Sequence, residues 1–222
     1  GTGFDLHGEF YFDGKKIEPQ KIPQLKLLLQ IAKMCNNASL STTDGVTATG
    51  DPTEVALKVV AAKAEIKEEY RRTDEIPFSS DRKIMTTVFV DEKLSFTKGA
   101  PEIILQRSVE YDGKKLSEAK RREFLKVVDS MASQGLRVLG FAYKKIEKNY
   151  VKADLEKDLI FVGLAGMIDP PRKEVITAIQ LTKEAGIRTI MLTGDHKLTA
   201  EAVAHEIGIE GKVLTAEDLD KL

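Results

Sequence analysis

Several short stretches of this chain combine residue types that could do chemistry. The sharpest is Ile190-Met191-Leu192-Thr193-Gly194-Asp195-His196, an apolar run that ends in Thr-Gly-Asp before a helical pattern. In open α/β sheets ligands bind beyond the carboxyl ends of strands, and helix N-termini there offer free N–H groups to anions. Gly194 admits close backbone approach, Thr193 brings a hydroxyl, and Asp195 can hold a hydroxyl, a water or a cation. Asp195 serves equally as a plain cap for the helix that follows. In Lys98-Gly99-Ala100-Pro101-Glu102 a strand delivers a lysine to a glycine turn and a proline-started helix. A flat ring or a phosphate could lie against Gly99 beside Lys98. A simple strand-to-helix turn with a surface lysine reads the same. Phe78-Ser79-Ser80-Asp81-Arg82-Lys83 sets an aromatic face, able to stack on a base, near two cations able to neutralise phosphate. The alternative there is a core phenylalanine at a strand start with a solvated polar turn. Arg137, in Leu136-Arg137-Val138-Leu139, falls on the strand face opposite Leu136 and Val138, where a lone arginine more often makes a structural ion pair. Glu54 completes a capping box in which Asp51 is the N-cap and Pro52 stands at N1, and nothing in its local sequence demands more.

The elements that must carry these residues can be read from periodicity. Glu9–Ile17 reads as a hairpin around Asp13-Gly14. Residues 24–37 read as a helix with Leu25, Leu28, Leu29, Ala32 and Cys35 on one face, stopping at Asn36-Asn37. A second helix covers 51–62, and 63–74 is a charge-rich, solvated helix end and loop. Ile84–Val90 and Leu94–Thr97 form an antiparallel hairpin. Helices over 101–107 and 117–133 alternate with strands over 136–143 and 159–167. The first two-thirds is thus helices on an antiparallel sheet. The tail changes to helix (173–185), strand (187–192), helix (198–207) and short strand (212–214), which is doubly wound α/β grammar. The change falls at the stiff connector Asp169-Pro170-Pro171-Arg172.

Composition excludes several classes. Of 222 residues, 42% are hydrophobic and 31% charged, which argues against wholesale disorder. Lys+Arg total 34 against 35 Asp+Glu, so the basic excess of a nucleic-acid binder is missing. No apolar run approaches the roughly 20 residues of a membrane span. The start of the chain lacks signal-peptide character. One cysteine, Cys35, excludes an internal disulfide framework, and three histidines show no metal-ligand spacing. There is no G-x-x-x-x-G-K-[ST], no G-x-G-x-x-G after a strand, no H-E-x-x-H and no G-x-S-x-G elbow. A nucleotide would have to be held by dispersed contacts from a sheet.

Taken together and in order, these motifs are similar to one family. Gly50-Asp51-Pro52-Thr53-Glu54, Phe78 to Lys83, Lys98 to Glu102, Leu136 to Leu139, Asp169 to Arg172 and Thr193 to His196 resemble the cytoplasmic region of P-type cation-transporting ATPases. The wording is most like the calcium and sodium/potassium pump branch, with calcium preferred. The resemblance implies an α+β nucleotide-binding domain over 1–168, an antiparallel sheet flanked by helices. A partial α/β haloacid-dehalogenase-like (Rossmann-like) phosphorylation domain over 169–222 would follow, hinged at 169–172.

Carried over by motif position, Phe78 would stack on adenine and Glu54 would lie near its amino group. Lys98 would line the base pocket with Gly99 at its floor. Lys83 and Arg137 would hold phosphates, Leu139 would be an apolar wall, and Arg172 would reach in from the hinge. Thr193, Gly194 and Asp195 would support the transferred phosphoryl group. The implied ligands are ATP and, with it in the parent enzyme, Mg2+; no metal site is expected in this chain itself. The implied partners are the remaining phosphorylation, actuator and transmembrane domains of a pump, with no nucleic acid and no membrane insertion of this part, which would lie on the cytoplasmic side. The family's Asp-Lys-Thr-Gly-Thr motif, which carries the phosphorylated aspartate, and its later Gly-Asp-Gly motif are both absent from the sequence. The expectation is a portion that binds ATP without turnover, since phosphoryl transfer needs that nucleophile and its magnesium. A stand-alone dehalogenase-type phosphatase and a non-catalytic interaction module are the alternatives.

Overall fold

The structure, a computed structural model, describes residues 5–41, 47–168, 173–193, 197–214 and 218. The chain divides into two compact units, Gly1–Lys126 with Val138–Ala165 and Val127–Arg137 with Gly166–Leu222.

The first unit opens with the expected hairpin, β1 (Phe10–Phe12) against β2 (Lys15–Ile17), with Phe10 opposite Ile17. Asp13 and Gly14 take φ of 47° and 73°, the left-handed pair a two-residue hairpin needs. Helix α1 (Pro23–Met34) starts with proline at its first turn and stops before Cys35. A short hairpin, β3 (Ser39–Ser41) with β4 (Thr47–Thr49), leads to α2 (Pro52–Lys63). Then come β5 (Asp74–Ile76), β6 (Ile84–Phe89), β7 (Leu94–Gly99), α3 (Pro101–Arg107), β8 (Ser108–Tyr111), β9 (Lys114–Lys115), α4 (Glu118–Ser133), β10 (Arg137–Lys145) and β11 (Leu159–Met167).

These strands make a seven-stranded sheet in the order β5-β6-β7-β10-β11-β8-β9. The expected all-antiparallel sheet is corrected at one place: β11 pairs with β8 in parallel, Phe161 opposite Tyr111. Parallel neighbours need a crossover connection, and here β9, α4 and β10 supply it. The sheet is therefore mixed.

Alternation along β6 and β7 divides the core into two faces. Met85, Thr87 and Phe89 share one face with Phe96 and Lys98, and α1 and α2 cover it. Ile84 and Ala142 lie on the other, packed with Ile104, Leu105 and Leu159. Residues 63–74 were expected to be solvated; instead they form a strap over the first face. Ile66 is buried, and the Tyr70 ring lies 5.8 Å from Phe89 and 6.2 Å from Phe96. Charge dominates that stretch, but Ile66 and Tyr70, with the small Ala64, decide where it goes.

In the second unit α5 (Lys173–Glu184) and α6 (Lys197–Glu206) form as expected. The expected strands over 187–192 and 212–214 do not. Ile187, Ile190 and Leu192 are exposed instead, Leu192 at 90%. A strand exists only by pairing its backbone with a neighbour, and no strand follows β11 among the described residues. The expected hinge 169–172, with Arg172, lies outside the described residues, as do Gly194 and Asp195.

Candidate functional site

Lys98 sits in β7 between β6 and β10, opposite Met85 and Phe141, in the middle of the sheet. It is 6% exposed, so the surface-lysine reading is corrected. An ammonium so placed needs a partner, because desolvation penalises an isolated charge. The partner is Glu54, whose Oε1 accepts from Lys98 Nζ at 2.7 Å across 44 residues of sequence. Glu54 Oε2 accepts from the Asn37 backbone N–H at 3.1 Å. The Asn36 amide donates to the Glu54 carbonyl at 2.8 Å and to the Ala32 carbonyl at 3.1 Å, tying the end of α1 to the first turn of α2.

The capping reading of Glu54 is corrected as well. Asp51 does cap α2, accepting from the N–H groups of Thr53 (2.9 Å) and Glu54 (3.3 Å). The Glu54 carboxylate turns away from the cap to the buried ammonium, because a carboxylate paired with a full, desolvated cation gains more than one accepting from a backbone N–H. Cys35 is fully buried beside this pair and its Sγ donates to the Met85 carbonyl at 3.4 Å. Burial pushes its thiol pKa up while Lys98 pulls the other way, so it stays an inert core group.

Gly99 follows Lys98 and pairs with Ile84 on one side and Gly140 on the other. The Lys83 carbonyl accepts from the Ala100 N–H at 2.9 Å. A Cβ on Gly99 would lie 2.2 Å from that carbonyl oxygen and 2.7 Å from Ile84 Cα, so only glycine fits. Lys83 itself has φ 58° and an exposed side chain. Its N–H donates to the Ser79 carbonyl at 2.7 Å, closing the turn that starts after Phe78. Phe78 is 60% exposed, which corrects the core-phenylalanine reading: an aromatic face stands open to solvent next to a pinned turn. Arg82 was grouped with Lys83 as a phosphate-neutralising cation. It points inward instead, donating to the Pro77 carbonyl and to the Glu156 carboxylate.

The structure thus links Glu54, Lys98, Gly99 and Lys83 by direct bonds or contact, with Phe78 one residue before the turn that Lys83 closes. Leu139 is half-buried in β10, next to Gly140. Arg137 is exposed at the first position of β10 and is grouped with the second unit. Thr193 is exposed in a stretch without regular structure.

Sequence reasoning missed Glu156. It is 6% exposed on the opposite sheet face, where its carboxylate also accepts from Arg107 at 3.1 Å and from Thr86 Oγ1 at 3.3 Å. No local pattern marks it. A separate concavity of about 190 Å3 is lined by Lys33, Met34, Lys58, Glu69, Tyr70, Arg72 and Phe89, none of them a residue the motifs singled out. Burial, then Lys33 and Arg72, push the Lys58 pKa below its ordinary value. Among the described residues no group of three or more His, Cys, Asp or Glu is placed to hold a metal ion, and no helix is long and apolar enough to cross a membrane.

A mixed sheet between helices, carrying a buried Lys–Glu pair beside a glycine-floored turn and an exposed aromatic, defines an α+β domain with a dispersed candidate binding surface. A family model described as P-type ATPase, cytoplasmic domain N, matches residues 24–174. The chain belongs to the P-type cation-transporting ATPases. It is 37% identical to a calcium-transporting ATPase of Bacillus subtilis over 240 residues, covering 100% of this chain and 27% of that protein. Against calcium-transporting ATPase 1 of Bacillus cereus it is 42% identical over 212 residues, 89% of this chain and 24% of the relative. Against calcium-transporting ATPase 1 of Lactococcus lactis it is 41% identical over 213 residues, again 89% and 24%. The chain spans about a quarter of the length of the relatives it matches.

Proposed function

We propose that this chain is the ATP-binding cytoplasmic portion of a calcium-transporting P-type ATPase, presenting the γ-phosphate to an aspartate outside these residues. The observation that carries the reading is the buried Glu54–Lys98 pair, 2.7 Å long, at the Gly99 floor. It combines a donor and an acceptor, fixed by neighbours, at one edge of an aromatic turn. That pairing suits the polar edge of an adenine: Glu54 accepts from its amino group, Lys98 donates to a ring nitrogen, and Phe78 stacks on its face. Gly99, which only glycine can fill, lets β7 close tightly on the Lys83 carbonyl and so fixes the floor beside Lys98. Lys83 and Arg137 hold phosphates and Leu139 is an apolar wall. Arg172 reaches in from a hinge at 169–172. Thr193, Gly194 and Asp195 stand by the transferred group. Mg2+ arrives with ATP and neutralises phosphate charge.

In this reading residues 1–168 are the nucleotide-binding domain and 169–222 belong to a haloacid-dehalogenase-like phosphorylation domain. The partners are the remaining phosphorylation, actuator and transmembrane domains. This chain alone binds ATP and does not turn it over, because the nucleophilic aspartate is not among its residues.

The test is calorimetric titration of ATP into the chain and into Phe78→Ala and Lys98→Ala. Loss of one base-stacking aromatic is expected to weaken binding about tenfold or more, as for stacking worth about 1–3 kcal/mol. Unchanged affinity in both variants rejects the site. A stable acid-resistant phosphoenzyme on this chain rejects the expected inactivity.

A further inference from the structure

We infer that Glu156 is a positioning residue for the nucleotide site: acting through Arg82, it fixes the 77–83 turn that carries Phe78 and Lys83. The inference rests on the reading of that turn as part of an ATP site.

The turn is held at both ends by different groups. At its far end the backbone of Lys83 is locked, its N–H to the Ser79 carbonyl (2.7 Å) and its carbonyl to the Ala100 N–H (2.9 Å). At its near end the β5–β6 pairing stops at Ile76 opposite Thr86, just before Pro77 and Phe78. There the hold is the Arg82 guanidinium, one nitrogen donating to the Pro77 carbonyl and another to Glu156 Oε1. The Arg82 N–H also donates to Ser79 Oγ at 3.3 Å. A single planar side chain therefore staples both ends of the turn, and its rigid fork is what lets it do so.

Arg82 can act as a staple only if its own position is fixed, and Glu156 fixes it. The carboxylate is anchored by two further bonds and the residue's backbone by a third. Oε2 accepts from Arg107 at 3.1 Å and Oε1 from Thr86 Oγ1 at 3.3 Å, while the Glu156 carbonyl accepts from Arg107 at 3.3 Å. Thr86 in turn shares a 2.9 Å bond with Thr97 across β6 and β7. Arg107 is the last residue of α3, and Thr86 and Thr97 lie in the two strands that begin just after Lys83 (β6) and end on the Lys98-Gly99 floor (β7). Glu156 thus ties the aromatic wall to the same strands that carry the floor, from the sheet face opposite the Glu54–Lys98 pair. The distance between stacking face and base edge is set by this link. Misplacement of binding groups by about 1 Å can cost up to a hundredfold where geometry matters.

The experiment measures ATP and adenosine affinity by calorimetry on the full chain, with folding checked by amide NMR. Glu156→Gln keeps the shape and removes the charge. It is expected to weaken both ligands about tenfold with the amide pattern retained outside the turn, within the range of couplings between touching residues. Arg107→Gln cuts the anchor on the other side and leaves the staple, and is expected to change affinity less than about threefold. Arg82→Lys keeps the ion pair but loses the fork to Pro77, and is expected to behave like Glu156→Gln; it serves if the latter fails to fold. The cycle with Phe78→Ala separates positioning from general loosening: acting through Phe78, Glu156→Gln has little further effect in that background. Equal affinity in Glu156→Gln and Arg82→Lys while Phe78→Ala binds poorly overturns the positioning role and leaves the site standing. Strictly additive penalties also overturn it. Unchanged binding in both Phe78→Ala and Lys98→Ala rejects the site itself.

Discussion

Two carboxylates, one buried and one partly buried, flank the same pair of strands, and they are satisfied in different ways. Glu156, on one face, has two guanidiniums and a hydroxyl on its carboxylate. Glu54, on the other face, has one ammonium and one backbone N–H, and its side chain is 17% exposed against 8% for Glu156. A saturated, enclosed carboxylate can only organise its neighbours. One with an open edge can share its lone pairs with something that arrives later. The contrast makes Glu156 a structural carboxylate and leaves Glu54 the one suited to the recognition role proposed above.

The largest effect should come from breaking the saturated side. Glu156→Ala leaves two guanidiniums facing each other without an anion, and removing one partner of a buried pair costs about 3–5 kcal/mol. Urea denaturation should show that loss; a cost under about 1 kcal/mol, the scale of an exposed pair, would erase the distinction drawn between the two carboxylates. Gly99→Ala, on the floor between the faces, should cost about 2–3 kcal/mol as an overpacking change, because the new Cβ meets backbone atoms that cannot swing aside. Replacement of Lys98 by methionine should cost less, about 1–2 kcal/mol, because Glu54 is close enough to solvent to recruit water in its place. If Lys98→Met proves as costly as Glu156→Ala, the open edge of Glu54 is closed in practice.

The sequence carried one face of this comparison much better than the other. The hairpin β6–β7, the proline-started α3 and the Asp51 cap follow from local signals: turn residues, period-two alternation and cap chemistry. The motif positions of Phe78, Lys98 and Gly99 were legible too. What local signals could not show is where a side chain goes when its partner is far along the chain. Glu54 fits a capping box by spacing, yet a buried ammonium 44 residues away takes its carboxylate. Arg82 reads as a surface cation beside Lys83, yet a carboxylate 74 residues on turns it inward. Residues 187–192 have strand composition, and composition does not provide the neighbouring strand that would pair with them. Tyr70 and Ile66 pull a charged stretch onto the core because two apolar anchors suffice when the charges between them can stay wet.

The smallest effect tests the comparison along α2 itself. Lys58 lies one turn after Glu54 on the same helix. Glu54 has its cation; Lys58 has no hydrogen-bond or ion-pair partner among the described residues and faces Lys33, Arg72 and, further off, Lys98, with Glu69 opposing them. Burial first, then those cations, hold its pKa below 10.5. A base whose folded pKa is lowered binds fewer protons folded than unfolded in the window between the two values. Stability therefore rises with pH through that window and carries the full penalty below it. Lys58→Met keeps the stem that packs on the pocket wall and removes the charge. It should stabilise the chain at pH 7 by about 0.5 kcal/mol, the size of an ordinary surface-charge optimisation. The gain should shrink as pH climbs toward 10.5, since the wild-type amine then sheds its proton in both states. Thermal denaturation of both proteins across that range measures it. A constant gain would mean that packing, not charge, is what methionine improves, and no gain would mean that the concavity already accommodates an unpaired ammonium at no cost.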